Sequence, residues 1–317
     1  MFADKIRRPF VSSNPVRTGF DPARYTAEIS HLTSVYLDAH PEFLDYAIAS
    51  DPALGGMSAD AVRVQLESYP GVRAIAVHRQ AHALYTQGKA LVAQGENLAG
   101  EDKLNAARWL AEAAHSQTGM DIHPGTQIGE NCFVDHASGD VIGETARLGN
   151  RTRMYHGVTL GALGQTPAQG PRHPQVGDDC VLSMAVKLLG AVQVGNGVKI
   201  GPGSLLRGNH LRVGDHVRLR DNVLIEDGYD IAPGIAFGDG VTLARNPHAS
   251  TAEPIAITRE SLAAALGIAP EEFREVPAHS FIQLGADGKT LEISRAEGKW
   301  ARQALLAAND ADHGYGK

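Results

Sequence analysis

Cysteine is almost missing from this 317-residue chain, which carries only Cys132 and Cys180. Two thiols cannot build a disulfide framework, and their scarcity fits a reducing compartment, so the cytoplasm is the expected location. A positive excess is missing too: 29 Lys and Arg stand against 36 Asp and Glu, a formal net charge of -7. A chain of that sign lacks the basic face that non-specific nucleic-acid binding needs. There is no apolar run of about 18 residues, so no membrane span is expected. The first residues, Met1-Phe2-Ala3-Asp4-Lys5-Ile6-Arg7-Arg8, lack the apolar stretch of a secretory leader. No glycine-rich phosphate loop ending in Gly-Lys-Ser/Thr occurs, and no serine sits in a Gly-x-Ser-x-Gly elbow. What remains is an ordinary composition, 21% charged and 43% hydrophobic, long enough for two or three compact units.

What the chain does have is a period. Nineteen positions fall on a six-residue lattice: Ile122, Ile128, Val134; Ile142, Leu148, Met154, Leu160; Val176, Leu182, Leu188, Val194, Ile200, Leu206; Val213, Leu219, Ile225, Ile231, Phe237, Leu243. Each is aliphatic, Met or Phe. Such a period belongs neither to a helix nor to a two-sided strand. It marks short straight edges joined by turns, three edges closing a triangular coil of about 18 residues with one inward residue per edge. The lattice breaks in two informative places. A two-residue excess between Val134 and Ile142 carries Asp135-His136-Ala137-Ser138-Gly139, and a polar loop from Gly161 to Gln175 carries Arg172-His173. A structural repeat needs neither, so function is expected at the breaks. A one-residue slip between Leu206 and Val213, over Arg207-Gly208-Asn209-His210, leaves open a continuing coil or a short hairpin.

Before the lattice the pattern is helical. Ala27–Leu37, Ser58–Leu66, an amphipathic stretch from Val72 ending at Gly88, and Lys103–His115 read as helices, with Asp51-Pro52 able to start another turn. After it come a helix over Arg259–Leu266, a hairpin around Asp287-Gly288 and a last helix near Trp300 to Asn309. Residues 1–20 read as a loose arm. The expected class is α+β: a helical domain over 1–119, a parallel β-helix over 120–245, and a small C-terminal extension over 246–317 of unknown role.

His136 is the first chemical candidate, because an imidazole with an ordinary pKa near 6.5 is the usual general base at neutral pH. It follows Asp135 and lies fifteen residues after Asp121, a little under one coil. Stacked rungs are about 4.8 Å apart, so Asp121 is expected to accept the imidazole N–H and fix the tautomer. The alternative is a structural histidine at a bulge. Arg172 with His173 offers a fork for a substrate carboxylate, against the alternative of a solvated surface arginine. His136, His156 and His173 are roughly one coil apart each, and their convergence would suit zinc. The paired-histidine spacing of zinc-bearing coils is absent, and no metal is expected. His78 and His82 sit one helical turn apart without the Glu of a metalloprotease helix, so they read as helix-face residues. Ser138 reads as a turn residue and Cys132 as a small packing residue.

Asp121-Ile122-His123-Pro124-Gly125, Asp135-His136-Ala137-Ser138-Gly139, Val141-Ile142-Gly143-Glu144-Thr145, Gly157-Val158-Thr159-Leu160-Gly161-Ala162-Leu163-Gly164 and Arg172-His173-Pro174 occur in that order. With Tyr69-Pro70-Gly71-Val72 and Ala114-His115-Ser116-Gln117-Thr118-Gly119, the set resembles bacterial serine O-acetyltransferase, a hexapeptide-repeat acyltransferase, over about residues 45–206. The resemblance implies that the coil is left-handed, a hand that spacing alone cannot show. It implies acetyl transfer from acetyl-CoA to the hydroxyl of L-serine, with His136 as base and Asp121 orienting it. Asp51 and Asp135 would hold the amino group, and Arg172 with His173 the carboxylate. Acetyl-CoA would lie between neighbouring coils of a homotrimer, near Gly161, Ala162, Ala185, Lys199 and Gly201, and trimers would pair into hexamers.

Several residues depart from that family. Ser183-Met184-Ala185-Val186 and Gly201-Pro202-Gly203-Ser204 stand where small residues line the coenzyme channel, and either narrow it or repack it. Asp140 replaces an apolar residue beside His136. The chain ends in Lys317, where members that dock into the partner sulfhydrylase end in Ile, so no complex through the tail is expected. Three readings stand: serine acetylation, the same chemistry on another small amino acid or alcohol in a specialised pathway, or a non-catalytic scaffold.

Overall fold

In a computed structural model of the chain, residues 22–164, 170–244, 254–285 and 289–295 are described. The arm expected over 1–20 and the helix expected near Trp300 to Asn309 lie outside them. The chain opens with helices α1 (Pro22–Ala39), α2 (Glu42–Ser50), α3 (Ala59–Ser68), α4 (Pro70–Ala93) and α5 (Asn97–Thr118), with a 3-10 turn at Pro52–Leu54. Ser58 caps α3 by accepting the Ala61 N–H at 3.3 Å, and Gly119 ends α5 in the left-handed conformation with φ 75°.

One boundary differs from expectation. Gly88 does not end α4, which runs on to Ala93. A Cβ on Gly88 would lie 2.8 Å from the Gly100 carbonyl and 2.8 Å from Leu104 Cγ, so this glycine is the crossing point of α4 with α5. Packing explains it; capping does not. The same pairing explains why α5 begins at Asn97, ahead of the expected Lys103.

From Asp121 the lattice becomes the coil. All nineteen lattice residues are buried. They lie on strands β1 (Asp121–Ile122) to β19 (Thr242–Leu243), which stack into three parallel sheets, here A, B and C. Sheet A runs β1, β4 (Val141–Ile142), β7 (Thr159–Gly161), β10 (Lys187–Leu189) and onward, with Ile142 opposite Leu160 and Leu160 opposite Leu188. Sheet C begins at β3 (Phe133–Val134), β6 (Arg153–Met154) and β9 (Val181–Leu182). Side chains also ladder along one corner: Asn150, Asp178, Asn196 and Asp215 each accept an N–H from the rung before. The slip at Arg207–His210 falls at a corner, where Asn209 Oδ1 accepts the Ala191 N–H at 3.1 Å, and the coil continues through it.

The three sheets do not stop at Leu243. β20 (Ile255–Ile257) adds to sheet B, Val276 bridges to Phe237 in sheet C, and β21 (Ser280–Leu284) adds to sheet A. Helix α6 (Arg259–Leu266) is an insertion within that rung. The expected hairpin is present: β21 pairs antiparallel with β22 (Leu291–Arg295), Ile282 opposite Ile293. Leu262, Phe273 and Ile282 are buried there and close the open end of the coil, as terminal caps of repeat proteins must. At the other end α4 closes it. His78 Nε2 lies 3.1 Å from the Thr126 carbonyl, His82 Nδ1 2.8 Å from the Pro124 carbonyl, and Arg79 donates to the carbonyls of Ile128 and Gly129. His78 is therefore a buried structural link, its pKa pushed down to about 3 chiefly by burial.

Candidate active site

The corner from sheet C to sheet A is built from four residues on the second rung, 155–158, and from six on the first, 135–140. The excess is taken up by His136 and Ala137, both left-handed at φ 66° and 57°. Hydrogen bonds show the slip. Ala185 N–H donates to the His156 carbonyl in the ordinary pattern, whereas Gly157 N–H donates to the Ser138 carbonyl, two residues past His136. Of the extra pair, Ala137 turns into the core and His136 turns outward, as a bulge does when it re-aims a side chain. The His136 side chain is 70% exposed, with Nε2 3.7 Å from Asp135 Oδ1. Its ring meets the His156 ring edge to face at a centroid distance of 5.7 Å.

Asp51 belongs to the same corner. Its Oδ1 accepts the Ala53 N–H at 2.8 Å and its Oδ2 accepts the Tyr69 hydroxyl at 2.6 Å. Tyr69 leans on Phe133, ring centroids 6.1 Å apart. Its pKa is pushed up to about 12 by burial first, then by Asp51, with Asp135 adding to the effect. One phenol thus lies within the field of both carboxylates. Asp121 takes another place: its backbone N–H donates to the Asp140 carbonyl at 2.8 Å, and no hydrogen bond joins its carboxylate to His136. Asp140 is fully buried. Its Oδ1 accepts the Val158 N–H at 2.7 Å and its Oδ2 has no partner, so burial pushes its pKa up to about 7.

A second group lies at the other edge of sheet A, on the corner leading to sheet B. His173 Nδ1 accepts the Thr145 N–H at 3.2 Å and lies 2.8 Å from the Thr145 hydroxyl, so the ring proton sits on Nε2. Its ring covers Gly143, where a Cβ would come 2.0 Å from Nε2. Burial, then the Arg172 charge, lowers its pKa. Arg172 is anchored by its N–H on Thr145 Oγ1 at 3.1 Å, and its charge also acts on Glu144 and His123. Tyr85 donates to Glu144 Oε1 at 2.6 Å, which holds that carboxyl below its ordinary range.

The residues expected for the coenzyme divide the same way. Ala185 and Gly201, with Lys199 on β12 (Lys199–Ile200), lie on the His136 side, while Gly161 and Ala162 lie on the Arg172 side. Val186 is buried in the core and lines no channel, whereas Met184 is 44% exposed on the His136 corner. Reading the sequence for chemistry overlooked Tyr69, Tyr85 and Thr145 as side-chain partners; they reveal themselves only through contacts distant in sequence. Cys132 is buried, its thiol pushed up to about 11 by burial, in keeping with packing. Among the described residues no group of three or more His, Cys, Asp or Glu is placed to hold a metal ion, and no helix is long and apolar enough to cross a membrane.

The fold and this corner chemistry place the chain among hexapeptide-repeat β-helix proteins. Its relatives are serine acetyltransferases, and the resemblance read from the motifs is borne out. Over 184 residues the chain is 40% identical to the plasmid serine acetyltransferase of Synechococcus elongatus, covering 55% of this chain and 53% of that protein. Over 127 residues it is 42% identical to the Mycobacterium tuberculosis serine acetyltransferase, covering 40% and 48%, and over 128 residues 40% identical to that of Helicobacter pylori, covering 40% and 66%. The chain thus spans about half to two thirds of the length of these relatives. No family model matches it.

Proposed function

We propose that the protein transfers an acetyl group from acetyl-CoA to the hydroxyl of L-serine. The observation that carries this reading is the outward bulge at His136, which presents an imidazole beside Asp135, with Asp51 on the same corner. In this scheme His136 takes the hydroxyl proton as the serine oxygen attacks the thioester carbonyl carbon. The carbon–sulfur bond breaks, and His136 returns the proton to the departing thiolate. Asp135 and Asp51 hold the substrate ammonium, and Arg172 with His173 its carboxylate. Asp121 orients the base once the substrate is in place, since catalytic hydrogen bonds often tighten only in the complex.

One chain cannot place all of these around one small amino acid. Asp140 and Gly143 bracket strand β4 three residues apart, roughly 10 Å of extended chain, and the two groups project from opposite corners. A ring of copies in which the His136 corner of one meets the Arg172 corner of the next completes the site. We therefore infer a homotrimer, or a pair of trimers, with a left-handed coil like the one the family resemblance implies. Acetyl-CoA would lie in the same inter-chain cleft, between Gly161 and Ala162 of one copy and Ala185, Lys199 and Gly201 of another. A helical unit over 1–119, a coil begun over 120–245 and completed by a further rung and cap from the 246–317 segment, and a cytoplasmic location belong to this proposal.

A second reading, acetylation of a different small hydroxy amino acid, is favoured by the exposed Met184 two rungs beyond His136 on the same corner. The test is thiol release from acetyl-CoA with serine, threonine and homoserine offered separately. Serine-dependent release supports the first reading, and release with homoserine alone supports the second. Absence of release with any acceptor leaves the scaffold.

A further inference from the structure

The corner from sheet C to sheet A repeats on every rung, so its residues form a column. His136, His156 and Met184 each stand two residues past the paired Val134, Met154 and Leu182, although Ser138 takes the ladder place beneath His156. His156 and Met184 keep the regular position. His136 does not, because the bulge carries it outward, and its ring comes to rest against His156 at 5.7 Å.

The rest of the ring is open: His136 is 70% exposed, and the Asp135 carboxylate lies 3.7 Å from its Nε2, beyond hydrogen-bond distance. Its backbone is left-handed, a conformation that costs free energy unless the surroundings hold it. His156 is the better-fixed member of the pair. Its carbonyl accepts the Ala185 N–H at 2.9 Å, and its Nδ1 is buried without a partner. That nitrogen contributes no hydrogen bond, so the ring's presence there is not explained by polar bonding to the fold. An apolar side chain would fill an ordinary corner of the coil without leaving a buried nitrogen unpaired.

We propose that His156 is a positioning residue for His136, its ring forming the platform that sets the plane of the base. The proposal rests on His136 being the base. Misplacement of a reacting group by about 1 Å costs on the order of 10²-fold in rate, so losing the platform should act on turnover and not on substrate affinity.

The test compares His156→Ala, His156→Phe and His136→Ala in full-length protein. For His156→Ala the expected result is a kcat lowered by about 10- to 100-fold with KM for acetyl-CoA and acceptor within about threefold. His156→Phe, which keeps a ring, should recover most of the loss and will report if the alanine variant folds poorly. Unchanged kcat in His156→Ala, or equal loss in both variants with intact folds, overturns the proposal. Full turnover in His136→Ala overturns the assignment of the base and with it this inference. Carbon–proton NMR of the His136 ring gives a readout that needs no turnover. His156→Ala should broaden or shift its signals, and an unchanged spectrum refutes the platform even in a protein that acetylates nothing.

Discussion

Asp140 gives the sharpest physical prediction, because it places a carboxyl in the interior of a coil directly behind the His136 bulge. Its side chain is fully buried, one oxygen takes the Val158 N–H, and the other has no partner. Burial raises its pKa from 3.8 to about 7. Each pKa unit corresponds to about 1.4 kcal/mol, so a shift of roughly three units is worth at most about 4 kcal/mol. The sign follows from the folded state holding the proton more tightly than the unfolded chain. Below about pH 4 both states are protonated and Asp140 costs nothing through ionisation. As pH rises towards about 7 the unfolded chain ionises first, and stability falls by up to about 4 kcal/mol before levelling off. Asp140→Asn keeps an acceptor for Val158 N–H and cannot ionise. Its unpaired amide adds a cost that does not vary with pH, so the informative quantity is the change of the variant-minus-wild-type difference. Urea denaturation at several values between about pH 4 and 8 should show that difference rising in favour of Asn up to about pH 7, then flat. A difference independent of pH would refute the reasoning.

Other outcomes follow from the same geometry. His136→Ala should lower turnover by about 10²–10⁴-fold with an unchanged melting temperature, checked by thiol release and thermal denaturation. Arg172→Lys should raise KM for the acceptor by about 5- to 30-fold, since an ammonium cannot reproduce a forked contact to a carboxylate; steady-state kinetics will read it. Mixing inactive His136→Ala and Arg172→Ala chains under conditions that exchange subunits should restore about a quarter of wild-type activity, the chance that one junction of a ring receives both intact partners. No recovery, with exchange shown by mass spectrometry, would mean that base and clamp do not meet between copies. Gly88→Ala should destabilise by about 1–3 kcal/mol in denaturant titrations, because its methyl group would meet the Gly100 carbonyl at 2.8 Å.

The coil was legible in the sequence because its rule is local: one inward residue every six, each of them now buried. Its last rung was not, since α6 separates Ile257 from Val276 and breaks the period that would have revealed them. Gly88 misled for a different reason. Glycine ends helices and also lets two helices touch, and only the position of Gly100 decides between the two. Around the candidate site, the bulge at His136 was visible as a two-residue excess. Asp121 pairs with Val141 across the rungs while His136 stands in the excess outside that register, so spacing alone could not fix the distance between them. Tyr69 with Asp51 and Tyr85 with Glu144 join helices to neighbours far away in sequence, and no spacing rule reports such pairs.

The most direct measurement is the release of free thiol from acetyl-CoA by the purified chain with L-serine present and absent, accompanied by mass detection of the product. Serine-dependent release with a product heavier than serine by one acetyl group, lost in His136→Ala, is the predicted result. Release that ignores serine, or that persists undiminished without His136, would contradict acetyl transfer at this corner.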